Sequence, residues 1–219
     1  MPVPRPRIVK ETRRTVEERE PPAGPDIKPH EWLSEDSRAA YHDTAESGRP
    51  FGLYLSEKAE HKIRLHAVKE APRRLEVMGF LLGEVSSWKG ATYSIVRDVG
   101  TTGLKSSSSK VRFDPEALPK LFHELDGSGF DYILVGWYHS HPGHTCFLSL
   151  TDLETQRTMF DQPYHTALVI DPICQDIKTF RLAGDSYEET PFAVIAPKGP
   201  DAKRKSRKRK LKVTPVTSA

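Results

Sequence analysis

The chain has only two cysteines, Cys146 and Cys174. That is too few for a disulfide framework, so stability must come from a packed core. No run approaches the ~18 apolar residues that span a bilayer. The opening MPVPRPRIVKETRR lacks the apolar stretch of a secretory leader. These absences lead to the expectation of a soluble, cytoplasmic protein with no membrane partner. Apolar residues are scarce at 37%, with a mean hydropathy of −0.56, but the shortage is confined to the ends. Residues 1–50 and 197–219 are polar and proline-rich, which reads as a flexible N-terminal extension and a disordered basic tail. Residues 51–196 have the makeup of one ordinary globular domain. A domain of roughly 145 residues buries about two-thirds of its unfolded surface, enough to hold a site without staples.

The net charge of +3 hides an asymmetry. KGPDAKRKSRKRKLK (198–212) has nine Lys/Arg and one Asp, a net of +8, which leaves −5 for the remainder. Such a run is usually solvated, or attracts acidic partners, nucleic acid among them. No aromatic residue is interleaved, so base stacking is not indicated. No internal repeat is visible.

Residues 30–48 have the makeup of a short helix whose Trp32, Leu33 and Tyr41 need something to pack on. FGLYL (51–55) reads as a strand. SEKAEHKIRLHAVKEA then reads as a helix capped by Ser56, with Ala59, Ile63, Ala67 and Val68 near one face and Pro72 as its stop. EVMGFLLGEV (76–85), ATYSIVRDV (91–99) and DYILVGWYH (131–139) fit strands. GTTGLKSSSSK (100–110) reads as a loop, and Asp114-Pro115-Glu116 opens a helix to about Asp126. A helix over about 150–160 and strands at 165–171 and 176–182 complete the pattern, with the residues after Leu182 read as loop. The fold class is α/β, a mixed sheet with helices on both sides.

One stretch stands out, HSHPGHTCFLSLTD (139–152). His139 and His141 run off a strand end at i and i+2, so both imidazoles point to one face. Ser149-x-x-Asp152 opens the next helix and brings a carboxylate. Two histidines and an aspartate suit Zn²⁺ and leave a fourth tetrahedral position for water, the mark of a catalytic zinc site. That water, with its pKa lowered to about 7, still needs a base. Each half has a plainer reading: S-x-x-D is also a capping box, and His-x-His at a strand end is more often structural.

Taken together, the stretch resembles the JAMM motif of MPN-domain zinc metalloproteases, H-x-H-x(7)-S-x-x-D, at every defining position. Glu76, opening EVMGFLLG, is similar to that family's upstream glutamate. VGWYHSHPG, VIDPI and TFRL are closest to the branch that includes the deubiquitinating subunit of the proteasome lid and its signalosome relative. The resemblance covers about 51–182 and implies an MPN fold, cytidine-deaminase-like, with a mixed central sheet flanked by helices. It implies that His139, His141 and Asp152 bind Zn²⁺, that Glu76 is the general base, and that Ser149 hydrogen-bonds the developing oxyanion. Trp137 shares strand parity with the histidines and fits either their support or core packing. His144 reads as a solvated loop residue and Cys146 as a small packing residue. The loop at 100–110 lies where relatives clamp a ubiquitin tail.

The activity implied is a zinc-dependent isopeptidase, a deubiquitinase that removes ubiquitin or a ubiquitin-like modifier from conjugated proteins. Two alternatives stand beside it: a JAMM peptidase that processes a sulfur-carrier-type ubiquitin-like protein, and a non-catalytic MPN scaffold. Further partners the resemblance allows are another MPN domain or a proteasome-type particle, although the likeness to the lid subunit stops after Leu182. Nucleic-acid binding rests on the tail alone. It predicts salt-sensitive binding that disappears when residues 198–212 are deleted; binding that survives the deletion removes this reading.

Overall fold

The computed structural model describes residues 16–101 and 132–196. Ten strands form one mixed sheet: β1 (Glu17–Glu18), β2 (Ile27–Lys28), β3 (Leu53–Ser56), β4 (Met78–Trp88), β5 (Ala91–Thr101), β6 (Ile133–Ser140), β7 (Thr166–Asp171), β8 (Asp176–Ala183), β9 (Ser186–Glu189) and β10 (Phe192–Ile195). Their order is β2-β10-β3-β5-β4-β6-β7-β8-β9, with β1 on the edge of β4 at Ser86–Ser87. Among the described residues, helices α1 (Glu35–Ser47), α2 (Glu57–Glu70) and α3 (Leu150–Met159) flank it. This is the mixed sheet and helix arrangement expected from the sequence. No helix among the described residues is long and apolar enough to cross a membrane.

Local sequence accounts for most of these elements. Ser56 caps α2 by accepting from the Ala59 N–H, and the helix buries Ala59, Ile63 and Ala67. Val68, expected on that face, is instead 45% exposed, because it lies a third of a turn beyond Ala67 and rotates past the sheet. Pro72 falls in a 3-10 turn, Ala71–Arg73, that ends the helix. The long β4–β5 hairpin turns at Lys89-Gly90, both with positive φ (49° and 81°), the geometry that matches strand twist.

α2 covers one face of the sheet over Leu53, Leu55, Leu81, Val135, Tyr138 and Leu168. The other face carries Met78, Phe80, Leu134, Trp137, Val169 and Phe160. An irregularity in β6 decides which residue faces which way. The β4–β6 register slips so that Leu81 faces Gly136 while Leu82 faces Leu134. If β6 alternated regularly after Leu134, with no bulge to absorb the extra residue, then Trp137, His139 and His141 would point toward α2. Gly136 is required there: its φ is 150°, and a Cβ would lie 2.0 Å from the Thr166 carbonyl oxygen of β7.

The N-terminal segment departs from expectation. The sequence reads as flexible up to residue 50, yet β2 pairs with β10, β1 pairs with β4, and Tyr41 of α1 is buried against Phe51 with centroids 5.0 Å apart. Trp32 and Leu33 also pack on the core. The stretch after Leu182, which reads as loop in the sequence, likewise forms β9 and β10. β10 lies between β2 and β3 and runs parallel to β3, a pairing between residues more than a hundred apart that local pattern does not announce. Residues 1–15, most of the expected 100–110 loop, the expected 114–126 helix and the basic tail lie outside the described residues.

Tyr41→Ala should lower the unfolding free energy by about 3 kcal/mol, as for other large aromatic truncations. Denaturant unfolding checks this; a change below about 0.5 kcal/mol would show that α1 is not docked.

Candidate metal centre

β6 delivers His139 within the sheet, and the chain keeps the same direction for one more residue because the His141 N–H donates to the Ile170 carbonyl of β7 at 3.0 Å. The two Nε2 atoms are therefore 3.0 Å apart. α3 starts at the same height and supplies Asp152, whose Oδ2 lies 3.5 Å from His139 Nε2 and 3.7 Å from His141 Nε2. Donors at ~2.0–2.1 Å from a tetrahedral Zn²⁺ sit about 3.3 Å from one another. The three distances bracket that value, so the residues present fit a cation of this kind.

The electrostatics agree. Burial lowers the His139 pKa, against the opposing pull of Asp152 and Glu76, so the imidazole is biased toward the neutral, ligating form. Burial works to raise the Asp152 carboxyl, but hydrogen bonding with His139, His141 and Ser149 outweighs it and holds the group well below the usual carboxylate range. His141 Nδ1 contacts the Thr145 carbonyl oxygen at 3.2 Å. An Nδ1–H donating there leaves the Nε2 lone pair free for a metal.

Ser149 caps α3. Its Oγ accepts from the Asp152 N–H at 3.2 Å and donates to Asp152 Oδ2 at 2.6 Å, and its own N–H donates to Oδ2 at 2.8 Å. The capping box is therefore present, and the carboxylate that closes it is the one that meets the histidines. The plain and functional readings of S-x-x-D describe one set of atoms. Glu76 is half-buried just before β4. Val77 exchanges bonds with Ser140, N–H to Oγ at 2.9 Å and carbonyl from N–H at 2.9 Å, and Met78 is the ladder partner of His139. Continuing that antiparallel register sets Glu76 across from His141, and its charge is felt at His139.

The surroundings hold these groups rigidly. Trp137 stacks on His139 with centroids 4.5 Å apart and planes 11° apart. The indole N–H donates to Gln156 Oε1 at 2.6 Å, and Gln156 Nε2 donates to the Phe160 carbonyl at 2.8 Å. Gln156 is fully buried, one turn after Asp152, so it ties the helix of the carboxylate to the strand of the histidines. His144 is exposed and outside the cluster. Cys146 is buried with its thiol on the Val169 carbonyl, and burial pushes that thiol up, which makes it a packing residue. Gln156 was not singled out by sequence, although its i+4 spacing from Asp152 places it on the same helix face. Asp171 stands inside VIDPI, where the sequence gives it no role of its own. It is buried and accepts from the N–H groups of Gly143, Thr145, Ile173 and Cys174.

A family model described as JAB1/Mov34/MPN/PAD-1 ubiquitin protease matches residues 53–162, half of the chain. The chain belongs to this family. Curated relatives include the 26S proteasome non-ATPase regulatory subunit 14 of Dictyostelium discoideum, 38% identical over 134 residues, covering 60% of this chain and 40% of that protein. The COP9 signalosome complex subunit 5 of Debaryomyces hansenii is 34% identical over 146 residues, covering 62% and 30%. The ubiquitin carboxyl-terminal hydrolase RPN11 of Saccharomyces cerevisiae is 33% identical over 148 residues, covering 67% and 46%. The chain thus spans less than half the length of these relatives. The solution structure of a Desulfitobacterium hafniense protein superposes with a TM-score of 0.52 at 21% identity, over 66% of this chain and 94% of that one, a likeness of fold.

Two outcomes follow for the MPN domain. Gln156→Leu removes the acceptor of the Trp137 N–H and a donor to the Phe160 carbonyl, and should cost about 2–3 kcal/mol in denaturant unfolding; a neutral result would mean that water or a rearranged neighbour replaces the amide. Burial raises the Asp171 carboxyl, but hydrogen bonds from the Cys174, Gly143 and Thr145 N–H groups and from the Cys174 thiol more than reverse this and hold it at about 2, against an ordinary 3.8. A depressed folded pKa contributes stability that is complete above about pH 4 and lost as pH falls toward 2. Between pH 5 and 2.5 the parent should therefore lose roughly 1–2 kcal/mol more than Asp171→Asn, at 1.36 kcal/mol per unit. Parallel slopes in urea titrations would refute this.

Proposed function

We propose that the chain is a zinc-dependent isopeptidase that removes ubiquitin or a ubiquitin-like modifier from conjugated proteins. The observation that carries this reading is the convergence of His139, His141 and Asp152 at zinc-ligand spacing, within a chain of the ubiquitin protease family. Relatives named for the proteasome, the signalosome and ubiquitin hydrolysis support the choice of substrate class. Two of these relatives are named as subunits of the 26S proteasome and the COP9 signalosome, which supports another MPN domain or a proteasome-type particle as a partner.

His139, His141 and Asp152 would hold the ion. Zinc bound there supplies Lewis acidity, which favours a hydroxide nucleophile at neutral pH and polarises the scissile carbonyl. The remaining work falls to residues of the chain. Glu76 takes the proton of the attacking water and returns it to the departing lysine amine. Ser149 donates a hydrogen bond to the carbonyl oxygen as it becomes tetrahedral. Its hydroxyl donates to Asp152 Oδ2 in the free protein, so serving the substrate requires the O–H to turn away from that oxygen. Phe147, 41% exposed, lies beside the His141 ring with centroids 4.8 Å apart, and Leu150, 89% exposed, follows Ser149 directly. Both offer apolar surface at the rim to a peptide-like tail.

Zinc-loaded protein should cleave an isopeptide-linked ubiquitin-like conjugate. Glu76→Gln should lose about 10²–10⁴-fold in kcat, and Ser149→Ala about 10²–10³-fold. Cleavage that persists after demetallation, verified by elemental analysis, would remove the zinc mechanism. Cleavage of a sulfur-carrier fusion in preference to the conjugate would favour the alternative substrate. No cleavage of either, with zinc confirmed bound, would favour the scaffold.

A further inference from the structure

Asp171 ends β7, and its carboxylate collects four backbone N–H groups. Oδ1 accepts from Gly143 at 2.9 Å, Ile173 at 2.9 Å and Cys174 at 3.0 Å, and Oδ2 accepts from Thr145 at 2.8 Å. The bonds to Ile173 and Cys174 are local, the ordinary work of an aspartate that starts a turn. Those to Gly143 and Thr145 cross to another segment, the loop that leaves the metal centre after His141. A turn staple has no use for them.

Their effect is visible at Thr145. Its φ is 64°, a region that a β-branched residue avoids and occupies only where its surroundings impose it. In this conformation the Thr145 N–H faces Asp171 while its carbonyl oxygen faces His141 Nδ1 at 3.2 Å. One peptide unit on each side of a single residue thus links a buried carboxylate to the imidazole. Gly143, with φ of 83°, takes the remaining bend.

We propose that Asp171 is a positioning residue for the metal centre: by holding Thr145 in its positive-φ conformation, it sets the carbonyl that fixes His141 as the Nδ1–H tautomer, with Nε2 directed at the cation. This rests on the reading of His139, His141 and Asp152 as metal ligands. The role is indirect: the Asp171 carboxylate bonds Gly143 and Thr145, and it acts on His141 through the Thr145 carbonyl.

The test is Co²⁺ affinity of the full chain, read from the d–d absorption of the bound ion in competition with a chelator. Asp171→Asn keeps the shape of the side chain but replaces one acceptor by a donor. It should bind Co²⁺ about 10–100-fold more weakly, the usual effect of losing a group that orients a ligating histidine, with far-UV circular dichroism unchanged. The ¹⁵N spectrum of the apo variant should show His141 losing its single Nδ1–H pattern. A parent that binds no Co²⁺ defeats the metal-centre reading and this inference with it. A parent that binds, with a folded Asp171→Asn that binds equally well, overturns the inference alone. Should the variant not fold, the parent decides by reciprocity. If the Asp171 bonds favour the metal-competent loop, Co²⁺ must slow amide exchange at Gly143 and Thr145; unchanged exchange at both overturns the proposal.

Discussion

Two imidazole nitrogens 3.0 Å apart, both near one carboxylate oxygen, are tolerable in a buried site only with positive charge between them. Either a proton or a metal ion must supply it, because lone pairs at that distance repel and a buried carboxylate cannot stay charged unaccompanied. Much of the surrounding architecture can be understood as holding that arrangement still. His139 is in mid-ladder between β4 and β7, His141 is fixed by a backbone bond to β7, and Asp152 is fixed by the cap of α3. Each donor comes from a different local rule, and the charge requirement joins them.

Rigidity reaches the site from both sides. From the core, Trp137 forms a flat wall against His139, and Gln156 pins that wall to the helix of Asp152. From the loop side, Asp171 gathers the backbone after His141 and the turn after β7 onto one carboxylate. Both devices bury a polar group and satisfy it fully, which is how buried polar networks confer rigidity. A positive φ at a threonine is the visible cost, and it occurs beside the site.

Little of that support was legible in sequence. Spacing in HSHPGHTCFLSLTD brought out the candidate ligands His139, His141 and Asp152, because strand parity and a helix cap are local properties. Glu76 is different. Nothing in its own neighbourhood distinguishes it from a surface carboxylate at a strand end, and only the family resemblance singled it out. Asp171 and Gln156 carry no local signature of the support they give: one reads as a turn aspartate, the other as a helix glutamine. The reading of residues 16–50 as flexible failed for a related reason. Polar composition describes the outward side of α1, while its contribution to the core comes through a few residues such as Tyr41, set against Phe51.

The amino-acid sequence by itself determined the elements with strong period and clear caps, the grouping of His139, His141 and Asp152, and the family that HxH and SxxD together denote. These depend on interactions among residues close along the chain, which pattern reports directly. Tertiary structure decided the rest. It inserted β10 beside β3, let a bulge at Gly136 turn the histidines away from α2, and brought Asp171 to Thr145. Each of these depends on a partner from a distant segment, and the free energy of such a contact is a property of the pair, which neither segment displays alone.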